Sequence, residues 1–284
     1  MIALSVYFVT LNEERRLPLA LEKASLVADE IVVVDSGSID GTEAVARRFG
    51  AKFIVHPWES IGHQVSFAEK CCSNRWVLRL DADEVLSDEL VEEIRRIKEL
   101  PGCSGYRLRI GNVFPGIEVP LRWVKHYRLI RLYNRDAMEM SGRFGHDDVV
   151  FKTKNPQVKT LHGFVCHYSY LGLNHLFEKR LFESDMQRRR AKNEQKRYSP
   201  WRMVGAMSLN FLKVFFLDRY FLYGFWGFIL AISVGHLRFL KFAKIFEYER
   251  LEKDSYLGLE EKQVAPGSCF STSDEEPNKV PLDL

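Results

Sequence analysis

The rhythm of apolar and polar positions changes three times along the chain. Through the first hundred residues, short β-prone runs (Ile2 to Val9, Ile31 to Val34, Phe53 to Val55 and Trp76 to Leu80) alternate with stretches of helical spacing. The helical stretches begin near Glu13 and Gly41 and cover Gln64 to Cys72. Strands alternating with helices build βαβ units, so the pattern predicts an α/β fold around a mostly parallel sheet. A further helix is expected after Asp83, with Ser87 as its N-cap, Asp88 and Glu89 in its first turn and Pro101-Gly102 as its stop. From Gly105 to Phe151 the runs shorten and stay β-like, with Gly and Pro between them. From about Leu173 a helix rich in Lys and Arg precedes two apolar, aromatic segments, Met203 to Leu217 and Tyr220 to Val234. The last residues, from about Ser255, are polar and acidic and read as a flexible tail. These changes divide the chain into residues 1–170, with halves 1–100 and 101–170, a basic and amphipathic helical region over 171–254, and a tail over 255–284.

Composition narrows the class. The 284 residues are 46% hydrophobic and 28% charged, enough for one large α/β domain and a smaller appendage. A net charge of only +3 lacks the basic excess of a nucleic-acid binder, so no nucleic-acid partner is expected. Cys71, Cys72, Cys103, Cys166 and Cys269 form no CxxC pair; they read as reduced thiols of a cytosolic compartment, without a structural zinc. The opening MIALSVYFVTLNEE has neither a basic n-region nor a cleavage site, and reads as a first strand instead of a signal peptide.

Parallel sheets bind ligands outside the carboxyl ends of their strands. Here those ends carry Thr10-Leu11-Asn12-Glu13, Asp35-Ser36-Gly37-Ser38 and Asp81-Ala82-Asp83-Glu84. A carboxylate such as Asp35 at a strand end can accept hydrogen bonds from a nucleobase or ribose, while small neighbours let the ligand approach. The same segment also suits a helix cap at Asp40 and turns at Gly37 and Gly41. In an extended backbone Asp81 and Asp83 point to the same side. Hard divalent ions share carboxylate oxygens with substrate phosphates, so this DxD is a natural seat for Mg²⁺ or Mn²⁺ holding a diphosphate; a solvated acidic turn is the alternative. In Gly145-His146-Asp147-Asp148, either acid could take the proton of a hydroxyl nucleophile, or cap a turn. His167 ends a second β-prone run and is a candidate metal ligand or a packing residue.

The basic residues between Lys179 and Arg202, next to apolar segments that Lys213 and Asp218-Arg219 interrupt, suggest attraction to anionic lipid and in-plane burial. The uninterrupted runs are shorter than the roughly 20 apolar residues a spanning helix needs. A helical subdomain with a solvated basic face is the alternative.

Taken together, TLNEE (Thr10 to Glu14), VVVDSGSIDGT (Val32 to Thr42), LRLDADE (Leu78 to Glu84) and GHDD (Gly145 to Asp148) resemble glycosyltransferase family 2 over about residues 1 to 250. More narrowly, they resemble the lipopolysaccharide-core β-glucosyltransferases of Gram-negative bacteria. The resemblance implies a GT-A fold with a C-terminal membrane-associating helical region, in which 1–170 is catalytic, its first half binding a nucleotide-sugar donor and its second the acceptor. It implies an inverting transfer of a hexose such as glucose, most often from a UDP-linked donor, to a lipid-linked saccharide, by a peripheral protein on the cytoplasmic face of the inner membrane. By position, Thr10, Asn12 and Glu13 would line the nucleotide pocket, Asp35 would meet the base, and Asp83 would hold the metal beside Asp81. Asp147 falls at the family's base motif and His167 at a histidine near the diphosphate. Arg128, Arg131 and Lys179 are candidates for donor-phosphate or acceptor contacts. Where the narrower group has His-Glu this chain has His146-Asp147, so a shorter carboxylate must reach the hydroxyl, or Asp148 is the base. Two rival functions are transfer to a polyprenyl phosphate, which needs no strong base, and a non-catalytic nucleotide-sugar-binding membrane protein.

Overall fold

In the computed structural model, which describes residues 1–143, 148–192 and 200–254, eight strands form one mixed sheet. β1 (Leu4–Thr10), β2 (Glu30–Asp35), β3 (Lys52–Val55) and β4 (Trp76–Asp81) are parallel and stand in the order β3-β2-β1-β4. The sheet continues antiparallel from β4 to β7 (Tyr127–Asn134) and from β7 to β6 (Gly105–Asn112). β6 pairs parallel with β10 (Val158–His167), whose far edge takes the short antiparallel β5 (Glu84–Leu86). β8 (Met138–Met140) and β9 (Val149–Phe151) form a separate ribbon.

Helices cover both faces, which is why the parallel strands are almost continuously apolar. On one side α1 (Leu17–Ser25), α2 (Thr42–Arg48) and α4 (Asp88–Glu99) bury Leu4, Val6, Phe8, Leu78 and Leu80. On the other, α3 (Ile61–Lys70) packs on Tyr7, Val32, Val34 and Val77. The expected start of α4 is borne out: the Ser87 hydroxyl accepts from Leu90 N–H at 3.3 Å, and Asp88 and Glu89 lie in the first turn.

Two local expectations need correction. The helix expected from Glu13 begins at Leu17, because Asn12 adopts a left-handed φ of 55° and the Arg16 and Leu17 amides both close on the Glu13 carbonyl. Pro18 then occupies the first helical turn, where its missing N–H is not needed. The DxD is likewise not one extended stretch. β4 ends at Asp81 and the chain turns at 82–83 into β5, and the two carboxylates meet different partners.

The C-terminal region comprises α5 (Leu173–Lys192), α6 (Pro200–Leu212), a π-helical turn (Lys213–Leu217), a 3₁₀ turn (Tyr220–Tyr223) and α7 (Phe225–Asp254). Tyr220, Tyr223 and Leu230 bury with Phe114 and Val124 in a third small core, where Trp226 stacks on Phe114. Lys125 adds an ion pair to Asp218 at 3.1 Å. Among the described residues, no helix is long and apolar enough to cross a membrane. Cys71, Cys72, Cys103 and Cys166 are free thiols; Cys269 and the tail from Ser255 lie outside the described residues.

Candidate functional site

Parallel register brings three strand ends to one edge: Thr10 pairs with Asp35, and Val9 with Asp81. The loops that follow are laced together. Asn12 N–H donates to Ser38 Oγ at 2.7 Å, and Asn12 Oδ1 accepts from Ile39 N–H at 3.0 Å. Glu13 N–H donates to Thr42 Oγ1 at 2.8 Å, and Glu14 N–H to Asp40 at 3.1 Å. Asp35 is 1% exposed and accepts four hydrogen bonds: Gly37 N–H and Ser38 N–H at 2.8 and 2.6 Å on Oδ1, and the Thr10 and Ser38 hydroxyls at 2.7 and 2.6 Å on Oδ2. A carboxylate has about four lone-pair sites. Asp35 therefore shapes this loop with its whole accepting capacity, and Gly37 supplies the positive φ of 102° the turn requires.

The acidic turn sits in a web of cations. Asp81 accepts from Arg79 at 3.1 Å and from Arg131 at 3.4 Å, and its N–H donates to Glu84 at 3.0 Å. Its low-dielectric surroundings oppose ionisation, but the two guanidinium groups outweigh them and lower its pKa. Asp83 has other partners. Its Oδ2 lies 3.1 Å from Arg16 Nη1 and 3.3 Å from His167 Nε2. Burial again disfavours the charge, yet the hydrogen bond and charge of His167, followed by Arg16 and Lys179, hold this carboxyl far below the usual carboxylate range. The imidazole responds in kind: burial pushes its pKa down, the Asp83 bond pushes it up, and the net shift is upward. Glu13 grips the same Arg16 through both oxygens, at 2.5 and 2.7 Å, while burial raises its own pKa.

His167 is placed by three strand ends, opposite Glu84 of β5 and Asn112 of β6, with Tyr168 N–H donating to the Asp83 carbonyl at 2.8 Å. Lys179, from the second turn of α5, lies within electrostatic reach of Glu13, Asp83 and His167. Arg131 is 4% exposed and bound to Asp81 and Glu84. Arg128 lies on β7 opposite Arg109, exposed, and no described hydrogen bond or ion pair joins it to the acidic turn. Asp147 and His146 lie outside the described residues. On either side of them, Ser141 N–H closes on the Asp148 carbonyl at 2.8 Å, and Met140 N–H is held by buried Glu69 at 2.6 Å. Asp148 is exposed. Sequence reading missed Arg16, Glu84 and Asn112.

The donor set can be tested for a divalent cation. Two cis ligands on a cation with bonds of ~2.1 Å stand about 3 Å apart. Asp83 Oδ2 and His167 Nε2, at 3.3 Å and facing each other, match that separation. Among the described residues no cluster of three or more His, Cys, Asp or Glu forms a metal cage. The pair therefore suits an ion that takes one or two protein ligands and completes its shell with substrate phosphates and water. Such an ion must displace Arg16 from Asp83 and the proton from His167 Nε2.

A family model described as glycosyl transferase family 2 matches residues 5–171. An uncharacterized glycosyltransferase of Rickettsia typhi is 35% identical over 253 residues, covering 86% of this chain and 87% of its own. The lipopolysaccharide core biosynthesis glycosyltransferase LpsC of Rhizobium meliloti is 28% identical over 263 residues, covering 88% and 94%. Among solved structures, S. aureus TarS 1–349 in complex with UDP aligns with 94% of this chain and 95% of that one, at 14% identity and a TM-score of 0.43.

Proposed function

The chain belongs to glycosyl transferase family 2, a family of nucleotide-sugar enzymes with a GT-A-like α/β fold, and from that premise we propose that it transfers a hexose from a UDP-linked donor to a lipid-linked, lipopolysaccharide-core saccharide with inversion. The observation that carries this reading is the facing pair Asp83 and His167 beside the laced loops of β1 and β2, at the edge where a parallel sheet binds nucleotides. The name of the LpsC relative supports the acceptor class.

Asp83 and His167 would hold Mg²⁺ or Mn²⁺, which when bound supplies positive charge against the diphosphate leaving group. Thr10, Asn12, Glu13 and Asp35 form the nucleotide side: Asp35 fixes the loop whose backbone the base and ribose meet, and a direct base contact requires one of its four hydrogen bonds to be exchanged. Asp81 keeps Arg79 and Arg131 in place beneath the diphosphate. Lys179, and Arg16 once it leaves Asp83, add charge against the phosphates, while exposed Arg128 is left for the acceptor. Asp147, next in sequence to Asp148, takes the acceptor proton. The hydroxyl oxygen then attacks the anomeric carbon from the face opposite the diphosphate, and the bond to the leaving oxygen breaks. Residues 1–170 form the catalytic unit, divided near residue 100 into donor and acceptor halves.

The region 171–254 rests on the cytoplasmic face of the inner membrane. Trp201, Leu217 and Phe225 are 86%, 78% and 73% exposed, and Lys213 and Arg219 stand among them, which suits insertion beside anionic headgroups. A panel of UDP-, GDP- and ADP-sugars with Mn²⁺ or chelator, with and without a membrane lipid extract, tests the reading by nucleoside diphosphate release. Metal-dependent release from one donor, stimulated by the extract, is expected. Nucleotide binding without release from any donor would overturn it in favour of a binding protein.

A further inference from the structure

The hydrogen-bond network behind His167 reaches from the active-site edge into the C-terminal helical region through one side chain. Asn112 closes β6 in register with His167 at the end of β10. Its Oδ1 lies 3.2 Å from His167 Nδ1 and accepts a further bond from the Ser169 hydroxyl at 3.4 Å. Its Nδ2 donates to the Tyr220 hydroxyl at 3.1 Å, and its carbonyl accepts from the Tyr223 hydroxyl at 3.1 Å. Tyr220 and Tyr223 are 7% and 4% exposed, and both lie beyond residues 5–171, the segment matched by the family.

We propose that Asn112 is a positioning residue that holds the hydrogen on His167 Nδ1 and so leaves Nε2 as the nitrogen a divalent cation takes, and that Tyr220 holds Asn112 in the orientation this requires. This inference rests on the reading of Asp83 and His167 as the cation-binding pair. An amide presents an acceptor on one side and a donor on the other. With Nδ2 engaged by Tyr220, the side facing His167 is the oxygen, which can only accept; Asp83 Oδ2 also only accepts, so the ring donates from both nitrogens, and when a cation replaces the hydrogen on Nε2 the one on Nδ1 stays with Asn112. A neutral imidazole protonated on Nδ1 has its lone pair on Nε2, the nitrogen that faces Asp83. An outer partner on the second ring nitrogen also fixes the ring plane and raises the basicity of the ligating nitrogen. The helical region thus contributes to the site through Tyr220 without a side chain of its own reaching the cation.

The test uses the full chain with Asn112→Leu, Asn112→Asp and Tyr220→Phe, and two readouts. The first is Mn²⁺ affinity, by electron paramagnetic resonance in the presence of UDP. Asn112→Leu is expected to weaken Mn²⁺ on the order of 10–100-fold, the usual effect of losing such a partner. Asn112→Asp, which still offers Nδ1–H an acceptor, should stay near wild type, and Tyr220→Phe should fall between. In a His167→Ala background, Asn112→Leu should cost nothing further. Wild-type affinity in Asn112→Leu, an equal loss in Asn112→Asp, or an additional loss without His167 would each overturn the proposal. The second readout is the proton spectrum of His167 in the metal-free protein: a downfield, slowly exchanging Nδ1–H is expected in wild type, and its loss in Asn112→Leu. Should wild type bind no Mn²⁺, the cation-binding reading fails, and the Nδ1–H resonance alone then decides the role of Asn112: a resonance unchanged by Asn112→Leu overturns it.

Discussion

Replacing Asp35 separates a residue that builds the nucleotide loop from one that merely touches a ligand. In Asp35→Ala the Thr10 and Ser38 hydroxyls can turn to other acceptors, but the Gly37 and Ser38 amides lose theirs. Gly37 is exposed and Ser38 half-buried, so both amides can turn to water and each lost bond costs about 0.5–1.5 kcal/mol, about 1–3 kcal/mol for the two. That is a measurable part of a typical stability of about 5–15 kcal/mol. At roughly 2–4 °C per kcal/mol for a domain of this class, melting should fall by about 2–12 °C. Asp35→Asn keeps one oxygen for the two amides and turns its nitrogen to the hydroxyls, which can accept. It loses only the charge assistance, so its melting point should lie between the other two. Thermal melts followed by circular dichroism, with UDP binding measured in parallel, provide the assay. Melting of Asp35→Ala within about 2 °C of wild type, or equal losses in both variants, would refute the reasoning. An Asp35→Asn protein with wild-type melting and no nucleotide binding would assign the carboxylate to the ligand instead.

Three other outcomes follow from the same structure. The pair Asp83 and His167 makes the stability of the metal-free protein depend on pH in both directions. The lowered pKa of Asp83 contributes above about 4 and is lost as pH falls, while the raised pKa of His167 contributes fully below about 6.5 and is lost as pH rises through its folded value. Urea unfolding should show the pair's contribution greatest within that window, and His167→Gln should remove the alkaline decline; parallel pH curves for the two proteins would contradict this. Asp147→Asn should lower kcat about 10²–10⁴-fold with little change in donor affinity, measured by nucleoside diphosphate release, and full activity would pass the base role to Asp148 or to an acceptor that is already anionic. Leu217→Glu with Phe225→Glu removes two exposed apolar side chains worth about 1.5–3 kcal/mol each on burial, so flotation with anionic vesicles should drop at least tenfold. Unchanged flotation would remove these residues from the membrane contact.

The parallel half of the sheet was legible because its apolar runs and helical stretches alternate with little noise, and the cap at Ser87 because capping is written in four adjacent residues. The late start of α1 was hidden in the left-handed backbone of Asn12, which depends on the neighbouring loop that binds its side chain. Arg79 and Arg131 left a readable trace: an arginine inside an apolar strand implies a buried partner. Nothing local announced Asn112, whose importance comes from the pairing of β6 with β10 and from Tyr220 far along the chain. The aromatic run near residue 220 divides in space: Tyr220 and Tyr223 dock on Phe114, while Phe221, Leu222 and Phe225 stay exposed. Composition gives both sets the same appearance.

The most direct test of the central claim is Mn²⁺-dependent release of UDP from a UDP-hexose by wild type and by Asp83→Ala, at matched folding and in the presence of lipid-linked acceptor. The account predicts turnover by wild type that chelator abolishes, and a loss of at least a thousandfold in the variant. Release by Asp83→Ala at the wild-type rate, or wild-type release indifferent to chelator, would contradict it.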